Sequence, residues 1–404
     1  MDSCRSKNSI ELPIVDITPW LTDFDDDRGK DSTSPDSTPK FQGKIANEYQ
    51  RLATVEKVKQ ACETVGFFVV SIPTSLKDKS AKIIKNASSS ARMFFKEETQ
   101  DKRLECAAKK GSSTSAYGYF PMLSESLGYA ANVDKKPDIR EAFSMGPVVP
   151  LSERLQRKLD EAKERLKINN CEADELLCNV MDFCYEPTPW PTSTLASTHG
   201  DSSCSSFKDS LSEFYSFASE IALITSKIMA LALGFPENHF TEACSDGEHC
   251  NSARAIWYPQ ISKDYEVAET QMRCGEHSDT GLLTLLWCDG PGLEIKPVGS
   301  EEWISVDMKG LNESKAPDEK LGTTSIPTNY FIVNIGDLLA KVSGDKWKST
   351  PHRVPVPEKT DVIRNQDRIV LVLFQILAAD FPIQADLTQG EYLFSHFKRW
   401  GRNK

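Results

Sequence analysis

Two histidines and one aspartate in the second half of the chain could together hold a metal ion. His277 and Asp279 are separated by one residue, and His352 begins a short extended segment much later in the chain. In an extended backbone the side chains at i and i+2 point to the same side, so His277 and Asp279 can reach one point. Pro351 biases Thr350 toward extended geometry. Two imidazoles and one carboxylate on one face of an octahedron leave three positions open, which is typical of non-haem Fe(II) that activates dioxygen.

This spacing is a weak signal when it is taken alone. The chain has 404 residues, of which six are histidine and 59 are acidic, so about one His-x-acid triplet is expected by chance. A histidine at the surface end of a strand is the simpler interpretation. Cys244, His249 and Cys250 contain zinc ligands but have no fourth partner nearby in the sequence. His239 follows a helix stop and is interpreted as a surface or capping residue.

The candidate ligands lie among short apolar segments that indicate strands. Segments rich in Ile, Val, Leu and aromatic residues recur between Gly, Pro and Asp residues, at 255–258, 282–287, 293–298, 303–306, 330–335 and 369–377. Several short strands at this spacing predict an antiparallel sandwich or barrel.

The first half of the chain has a helical pattern instead. Apolar residues at steps of three and four predict a helix over 151–168 and another over 207–233, and two more are predicted at 55–64 and 75–97. Short strands are predicted at 14–17 and 66–70, and a short helix at the C-terminal end. The Pro-, Ser- and Thr-rich stretches at 23–40 and 187–206 predict a flexible insertion and a loop.

The composition restricts the kind of partner. The formal net charge is −11 at pH 7, so long-range attraction to nucleic acid or to an anionic membrane has the wrong sign. We therefore expect no nucleic-acid partner and no membrane partner. The N-terminus has no apolar signal core, and eleven irregularly spaced cysteines favour a reducing compartment. The expected location is the cytoplasm, and the expected state is a monomer.

The C-terminal half contains a series of motifs at Trp257-Tyr258-Pro259, 275–286, 291–295, 303–306, 331–337, 348–354 and 367–369. In these motifs and in their order, the chain resembles the Fe(II)/2-oxoglutarate-dependent dioxygenases of the isopenicillin N synthase-like family. The resemblance extends into the N-terminal half through the motifs around 12–16, 66–68 and 94–95.

The resemblance implies a mixed α+β fold with a double-stranded β-helix (jelly-roll) core and flanking N-terminal helices. It implies four regions, namely an N-terminal helical and strand domain at 10–150, a helical region with an insertion at 151–250, the catalytic jelly-roll at 251–385 and a C-terminal tail at 386–404. A segment at 307–329 is longer than the resemblance predicts, and we interpret it as a surface loop.

The resemblance also implies roles for individual residues. His277, Asp279 and His352 would bind Fe(II), and Arg368 would pair with the distal carboxylate of 2-oxoglutarate, with Arg364 as the other candidate. A charge pair with Asp367 is the simpler interpretation of Arg368. Tyr258 could donate its hydroxyl to this co-substrate.

Some positions near these residues depart from the family pattern or have two interpretations. Val370 replaces a serine and Ile256 replaces an asparagine. Two segments occupy places where related enzymes carry substrate-facing residues, namely Tyr117-Gly118-Tyr119-Phe120 and Arg140-Glu141-Ala142-Phe143. Core packing explains Phe120 and Phe143 equally well.

The function implied is a non-haem iron oxygenase that uses O2. It would couple oxidative decarboxylation of 2-oxoglutarate to hydroxylation, desaturation or oxidative cyclisation of a small molecule of specialised metabolism. Two alternatives stay open from the sequence. One is an iron-dependent oxidase that does not use 2-oxoglutarate, and the other is a non-catalytic jelly-roll that binds a small acidic ligand.

Overall fold

The fold combines eight α-helices with two main β-sheets in the part of the chain that is described. The computed structural model describes residues 8–21, 40–108, 116–127, 136–192, 206–308, 311 and 326–401. The helices are α1 (Lys40–Thr64), α2 (Lys77–Lys96), α3 (Gln100–Glu105), α4 (Glu153–Ile168), α5 (Glu172–Cys184), α6 (Phe207–Ala232), α7 (Asp337–Val342) and α8 (Gln389–Gly401).

The strands are mostly short, as the sequence pattern predicts. They are β1 (Ser9–Glu11), β2 (Ile14–Asp16), β3 (Phe67–Ser71), β4 (Gly118–Phe120), β5 (Glu141–Met145), β6 (Ser252–Tyr258), β7 (Cys274–His277), β8 (Leu283–Cys288), β9 (Glu294–Ile295), β10 (Ile304–Asp307), β11 (Tyr330–Ile335), β12 (His352–Val354), β13 (Arg368–Gln375), β14 (Pro382–Gln384) and β15 (Leu387–Thr388).

The two main sheets are built largely from β6 to β13. The larger sheet has the order β2-β3-β11-β8-β13-β6-β5-β4, and the smaller has the order β1-β10-β9-β12-β7. Between β6 and β13 the chain therefore crosses from one sheet to the other at almost every step. N-terminal strands extend both sheets, since β1 pairs with β10 and β3 pairs with β11. Most of the buried apolar side chains form a single cluster that includes both halves of the chain.

The helices cover the larger sheet. The long helix α6 is buried along most of its length and packs against β8 and β13, with α1 and α2 beside it. By length and composition α6 is apolar enough to cross a membrane, yet 67% of its most apolar window is buried inside the protein. A helix in the core of a folded domain has this property.

Most predicted elements are present, with shifted ends. The helix predicted at 55–64 is the second half of α1, and the strand predicted at 369–377 is β13, which begins at Arg368 and ends at Gln375. The strand predicted at 293–298 is only the two-residue β9. Helices α5 and α7 and strands β5 and β7 were not predicted. Residues 22–39, most of the 187–206 stretch (193–205) and most of the 307–329 segment (309, 310 and 312–325) lie outside the described residues.

Candidate active site

The two histidines are brought together by the pairing of two neighbouring strands. His277 is the last residue of β7 and His352 is the first residue of β12, and the antiparallel register places them directly opposite each other. Their ring centroids are 4.2 Å apart. Side chains of directly opposed residues in an antiparallel pair lie on the same face. The strand register therefore brings together two imidazoles that lie far apart in the sequence.

Asp279 completes a three-residue group beside these rings. Its Oδ1 lies 3.9 Å from Nε2 of His277, and its Oδ2 lies 3.9 Å from Nε2 of His352. All three ligand atoms lie within 4.8 Å of one another. Two atoms bound at about 2.1 Å to one ion are separated by at most about 4.2 Å, so each His–Asp pair is within reach of a shared metal. This is the only such group of His, Cys, Asp or Glu side chains among the described residues.

The hydrogen bonds of the two histidines involve Nδ1, so that Nε2 of each ring can bind a metal. Nδ1 of His277 donates to the carbonyl of Gly275 at 2.8 Å, and Nδ1 of His352 donates to the carbonyl of Thr350 at 3.2 Å. Each bond fixes the tautomer, so the lone pair lies on Nε2, the atom that faces Asp279. The ring of His352 also packs edge-on against Phe67, with centroids 5.6 Å apart.

The carboxylate of Asp279 is held by two side-chain donors. Oγ1 of Thr284 and Nδ2 of Asn334 donate to its Oδ2 at 2.7 and 2.8 Å. These partners come from β8 and β11, so the larger sheet holds a carboxylate that lies between the two strands of the smaller sheet. A Cβ on Gly336 would lie 2.1 Å from the carbonyl oxygen of Gly281, so only glycine permits this close packing beside the Asp279 loop.

The environment keeps two of the three groups, His277 and Asp279, in their metal-binding protonation states. Burial, and then the neighbouring His352, lower the pKa of His277 to about 3, so its imidazole is neutral at pH 7. Burial opposes ionisation of Asp279, but the two imidazoles and the hydrogen bonds from Thr284 and Asn334 outweigh it and lower the pKa of this carboxyl. Neutral imidazoles and an ionised carboxylate are the forms that bind a metal cation.

These three residues line a cavity between the two sheets whose wall is largely apolar. Arg368 and Tyr258 form one end of this cavity, where they are paired across β13 and β6. The apolar wall includes side chains from β6, β8, β12 and β13 and from the helical layer, namely Phe67, Phe183, Ile256, Leu286, Val354, Val370, Val372, Phe374, Ile376 and Leu393.

Arg368 is a buried cation with one unpartnered end. Its Nε donates to the carbonyl of Gly290 at 2.9 Å, and its guanidinium lies 5.3 Å from the ring centroid of Tyr258. Its Nη1 is buried and has no hydrogen-bond partner among the described residues. The side chain of Arg364, the other candidate, is bound instead to the backbone carbonyls of Pro357 and Tyr265 and does not line the cavity.

The acidic residues near Arg368 are paired elsewhere. Asp367 and Asp289 both form salt bridges with Arg92 of α2, and Asp367 is also 3.0 Å from Nζ of Lys96. The simple interpretation of Arg368 as the partner of Asp367 is therefore wrong. An arginine that is buried without a carboxylate of its own suits a ligand that brings one.

The remaining candidates separate into cavity residues and core residues. Phe120 lines the cavity, whereas Phe143 is fully buried and packs on Phe94 and Phe207. Cys244, His249 and Cys250 do not form a metal-binding group. His239 is exposed, as predicted, and stacks on Phe235 with centroids 4.2 Å apart.

Several functional positions were missed at the sequence level. Thr284 and Asn334 lie in the motifs around the ligands but carry no spacing signal that identifies them as partners of Asp279. Arg254 was missed although it lies four residues before Tyr258 in the same strand, and the two-residue period of a strand places both on one face. Arg140 lies in one of the two segments expected to face the substrate, and it lines the cavity. Glu125 also lines the cavity and was missed, because no local pattern relates it to Arg254 or Arg140.

The chain is similar to several known dioxygenases. Residues 40–167 match the family described as non-haem dioxygenase in morphine synthesis, N-terminal. The 2-oxoglutarate-dependent dioxygenase citB of Monascus ruber is 23% identical over 357 residues, which is 88% of this chain and 83% of that protein. Clavatol oxidase claD of Penicillium crustosum is 24% identical over 395 residues, which is 96% of this chain and 91% of that protein.

A solved structure shows the same fold. A full-length protein of Neurospora crassa, crystallised in complex with alpha-KG, superposes with a TM-score of 0.61 at 19% identity, and the match covers 98% of each chain. At this identity the likeness concerns the fold. Both proteins are mixed assemblies of sheets and helices.

Proposed function

We propose that the chain is an Fe(II)/2-oxoglutarate-dependent dioxygenase, to which its relatives point, and that His277, Asp279 and His352 are its iron ligands. The enzyme is an oxidoreductase that couples oxidative decarboxylation of 2-oxoglutarate to oxidation of a small-molecule metabolite, with O2 as oxidant. We propose further that Arg368 and Tyr258 bind the co-substrate. We also assign β6 to β13 as the eight strands of a double-stranded β-helix.

The convergence of the three ligand atoms carries this assignment. The set consists of two imidazole nitrogens and one carboxylate oxygen, all within 4.8 Å of one another. Their tautomers and hydrogen bonds are fixed by other parts of the protein, as is typical of ligands that hold a metal. Two nitrogens and one oxygen from three side chains leave room in an octahedron for small ligands. The residues present therefore fit Fe(II).

Arg368 fits the distal carboxylate of 2-oxoglutarate. Arg368 lines the cavity, and its Nη1 is buried without a partner among the residues that the structure describes. A planar guanidinium binds a carboxylate with two charge-assisted hydrogen bonds. Val370 and Ile256 line the cavity beside it and supply no hydrogen bond, so binding of the co-substrate depends more heavily on Arg368 and Tyr258 than it does where serine and asparagine are present.

The protein's part in the reaction is binding, orientation and exclusion of water. Fe(II) with 2-oxoglutarate and dioxygen supplies the oxidising chemistry, as cofactors of this kind do. Thr284 and Asn334 restrain Asp279 so that one carboxylate oxygen remains available. The apolar wall around Leu286 and Val372 holds a substrate and keeps water away from the reacting C–H bond.

Location, assembly and domain organisation complete the proposal. We propose that the enzyme acts in the cytoplasm as a monomer, with no nucleic-acid and no membrane partner. We propose also that the four regions at 10–150, 151–250, 251–385 and 386–404 describe its organisation. The net charge of −11 supports the absence of polyanionic partners.

Formation of succinate from 2-oxoglutarate tests the assignment of the ligands. We expect the wild-type protein, supplied with Fe(II), ascorbate and oxygen, to form succinate, and we expect His277→Ala and Asp279→Ala to lose at least 100-fold in rate. Circular dichroism and thermal unfolding serve as controls for the fold, and Ser278→Ala is a matched variant between the two ligands. Undiminished succinate formation in both ligand variants would refute the assignment.

A further inference from the structure

A second group of charged side chains lines the same cavity away from Arg368. Ser252, Arg254, Ile256 and Tyr258 alternate along β6 and all face the cavity. At about 3.3 Å per residue, Arg254 lies roughly 13 Å along the strand from Tyr258. In the larger sheet Arg254 is paired with Val372, whereas Tyr258 is paired with Arg368. Arg254 and Arg368 therefore lie at different places along the paired strands β6 and β13, and Ile256 and Val370 line the cavity between them.

Arg254 and Arg140 share one acidic partner. Nη2 of Arg254 donates to Oε2 of Glu125 at 2.5 Å, and Nη2 of Arg140 lies 3.2 Å from the same oxygen. Nε of Arg254, and both Nε and Nη2 of Arg140, are buried without a hydrogen bond of good geometry among the described residues. The side chain of Arg140 is only 2% exposed. Two guanidinium groups that line the cavity thus retain N–H donors without an acceptor among the described residues.

Guanidinium groups outnumber carboxylates on this part of the wall. Two arginines and one glutamate line it. A second carboxylate, Asp138, lies 3.4 Å from Nε of Arg140 but is not among the lining residues, and it also accepts backbone N–H groups from Gly275 and Leu127. The four groups therefore balance in formal charge, whereas the face that lines the cavity presents two guanidinium groups and one carboxylate. A buried, incompletely paired cation is stabilised when a ligand supplies a carboxylate.

The rest of the wall around this group is apolar. Phe120 lies under the guanidinium of Arg254, with the guanidinium carbon 4.8 Å from the ring centroid. Leu127, Leu286, Val372 and Phe374 line the neighbouring surface. A cavity with an apolar wall and one convergent charged group selects an apolar molecule with one group of opposite charge.

We propose that the primary substrate is a small, largely apolar carboxylic acid whose carboxylate is bound by Arg254 and Arg140. This inference rests on the proposed function, because it assigns the occupant of the same cavity next to the iron site. Arg254 would be a specificity-determining residue. The apolar body of the acid would lie along Val372 and Leu286, with one of its C–H bonds directed at the His277, Asp279 and His352 group.

Affinity selection from a defined library tests this proposal. The library contains aromatic, aliphatic and terpenoid monocarboxylic acids, each with its methyl ester, and is added anaerobically to the full chain loaded with Fe(II) and 2-oxoglutarate. We expect the wild-type protein to retain one or more acids at least 10-fold over the corresponding esters. We expect Arg254→Met to lose that preference by at least 10-fold and Arg254→Lys to keep part of it.

Two further variants keep the result interpretable. Arg353→Met removes an arginine that pairs with Glu294 outside the cavity, and it should retain the same acids as the wild type. The double variant Arg254→Met/Glu125→Gln removes both charges of the pair, so it serves if the single variant does not fold. Equal retention of esters, retention of no acid, or an unchanged preference in Arg254→Met would each overturn the proposal.

The visible absorption band of the anaerobic Fe(II)–2-oxoglutarate complex separates this inference from the function on which it rests. If wild type gives the band but does not prefer acids, only the substrate assignment fails. If wild type gives no band, the proposed iron and co-substrate sites fail. Loss of the band in Arg254→Met would show that Arg254 serves the co-substrate, which also overturns the substrate assignment.

Discussion

At the scale of single residues, the site depends on which side-chain atoms already form hydrogen bonds within the protein and which atoms can bind a ligand. Nδ1 of His277 and Nδ1 of His352 are bound to backbone carbonyls, so Nε2 is available on both rings. Arg368 retains an Nη1 that has no partner among the described residues. The sequence could identify these residues through the His-x-Asp spacing and the resemblance. The sequence could not show that Asp367 pairs with a residue other than Arg368, because its partner, Arg92, lies on the distant helix α2.

Replacement of Arg368 should selectively weaken the use of 2-oxoglutarate. Arg368→Met removes charge-assisted hydrogen bonds worth about 2–3 kcal/mol, so we expect KM for 2-oxoglutarate to rise roughly 30- to 150-fold. Binding of Fe(II) should change little. The measurement is the dependence of the initial rate of succinate formation on 2-oxoglutarate concentration, with Arg353→Met as the control for loss of an arginine. An unchanged KM would show that another residue binds the distal carboxylate.

At the scale of elements, helix α2 binds the acidic residues that lie beside Arg368. Arg92 of α2 forms salt bridges with Asp289, which follows β8, and with Asp367, which precedes β13. Asp289 in turn accepts the backbone N–H of Ile369. One arginine on the helical layer therefore binds the two acidic residues that flank Arg368. It prevents them from pairing with Arg368 in place of a ligand.

Replacement of Arg92 should act through Arg368. In Arg92→Gln the two carboxylates lose their partner and compete for Arg368, so we expect KM for 2-oxoglutarate to rise about 3- to 10-fold while kcat at saturation stays within about 2-fold. Arg92→Lys should recover part of the loss. Lys85→Gln, on the exposed side of α2, is the matched control. A fall in kcat with an unchanged KM would contradict this positioning role.

The sequence predicted long elements better than short ones. The apolar periodicity of α4 and α6 extends over several turns, so both helices were located to within two residues. Helix α7 has six residues and β9 has two, which is too short for a period to show. Strand β5 is fully buried and lies between β4 and β6 in the larger sheet. Its pairing depends on residues far away in the chain.

At the scale of the whole molecule, charged side chains join the helical layer to the β-core. Arg154 and Lys158 of α4 bind Asp380, which follows β13, at 2.7 and 2.8 Å. These contacts outweigh the effect of burial and lower the pKa of Asp380 to about 2. A carboxyl whose pKa is lower in the folded state stabilises the fold above its unfolded pKa. That stabilisation is lost as the pH falls through the folded pKa.

The stability of Asp380→Asn should therefore depend on pH. We expect its free energy of unfolding to be lower than that of wild type by about 1 kcal/mol at pH 7, a modest value because both cationic partners are about half exposed. The difference should decrease below pH 4 and vanish near pH 2. Urea unfolding of both proteins at a series of pH values measures it. A difference that is as large at pH 2 as at pH 7 would contradict the ionic explanation.

The overall architecture could be predicted only in part from local patterns. Strands and helices were predicted from periodicity, and the jelly-roll core from the resemblance, which the comparisons support. The joining of β1, β2 and β3 to the two sheets could not be predicted, since it is a long-range pairing between the two halves of the chain. The same packing brings Arg92 of α2 to the two acidic residues beside Arg368.

The anaerobic titration of metal-free protein with Fe(II) and 2-oxoglutarate tests the central claim most directly. We predict a weak visible absorption band that saturates at one Fe(II) per chain, that is absent in Asp279→Ala and that requires much more 2-oxoglutarate in Arg368→Met. A band of undiminished intensity in Asp279→Ala, or iron bound at that site with no band at saturating 2-oxoglutarate, would contradict the account.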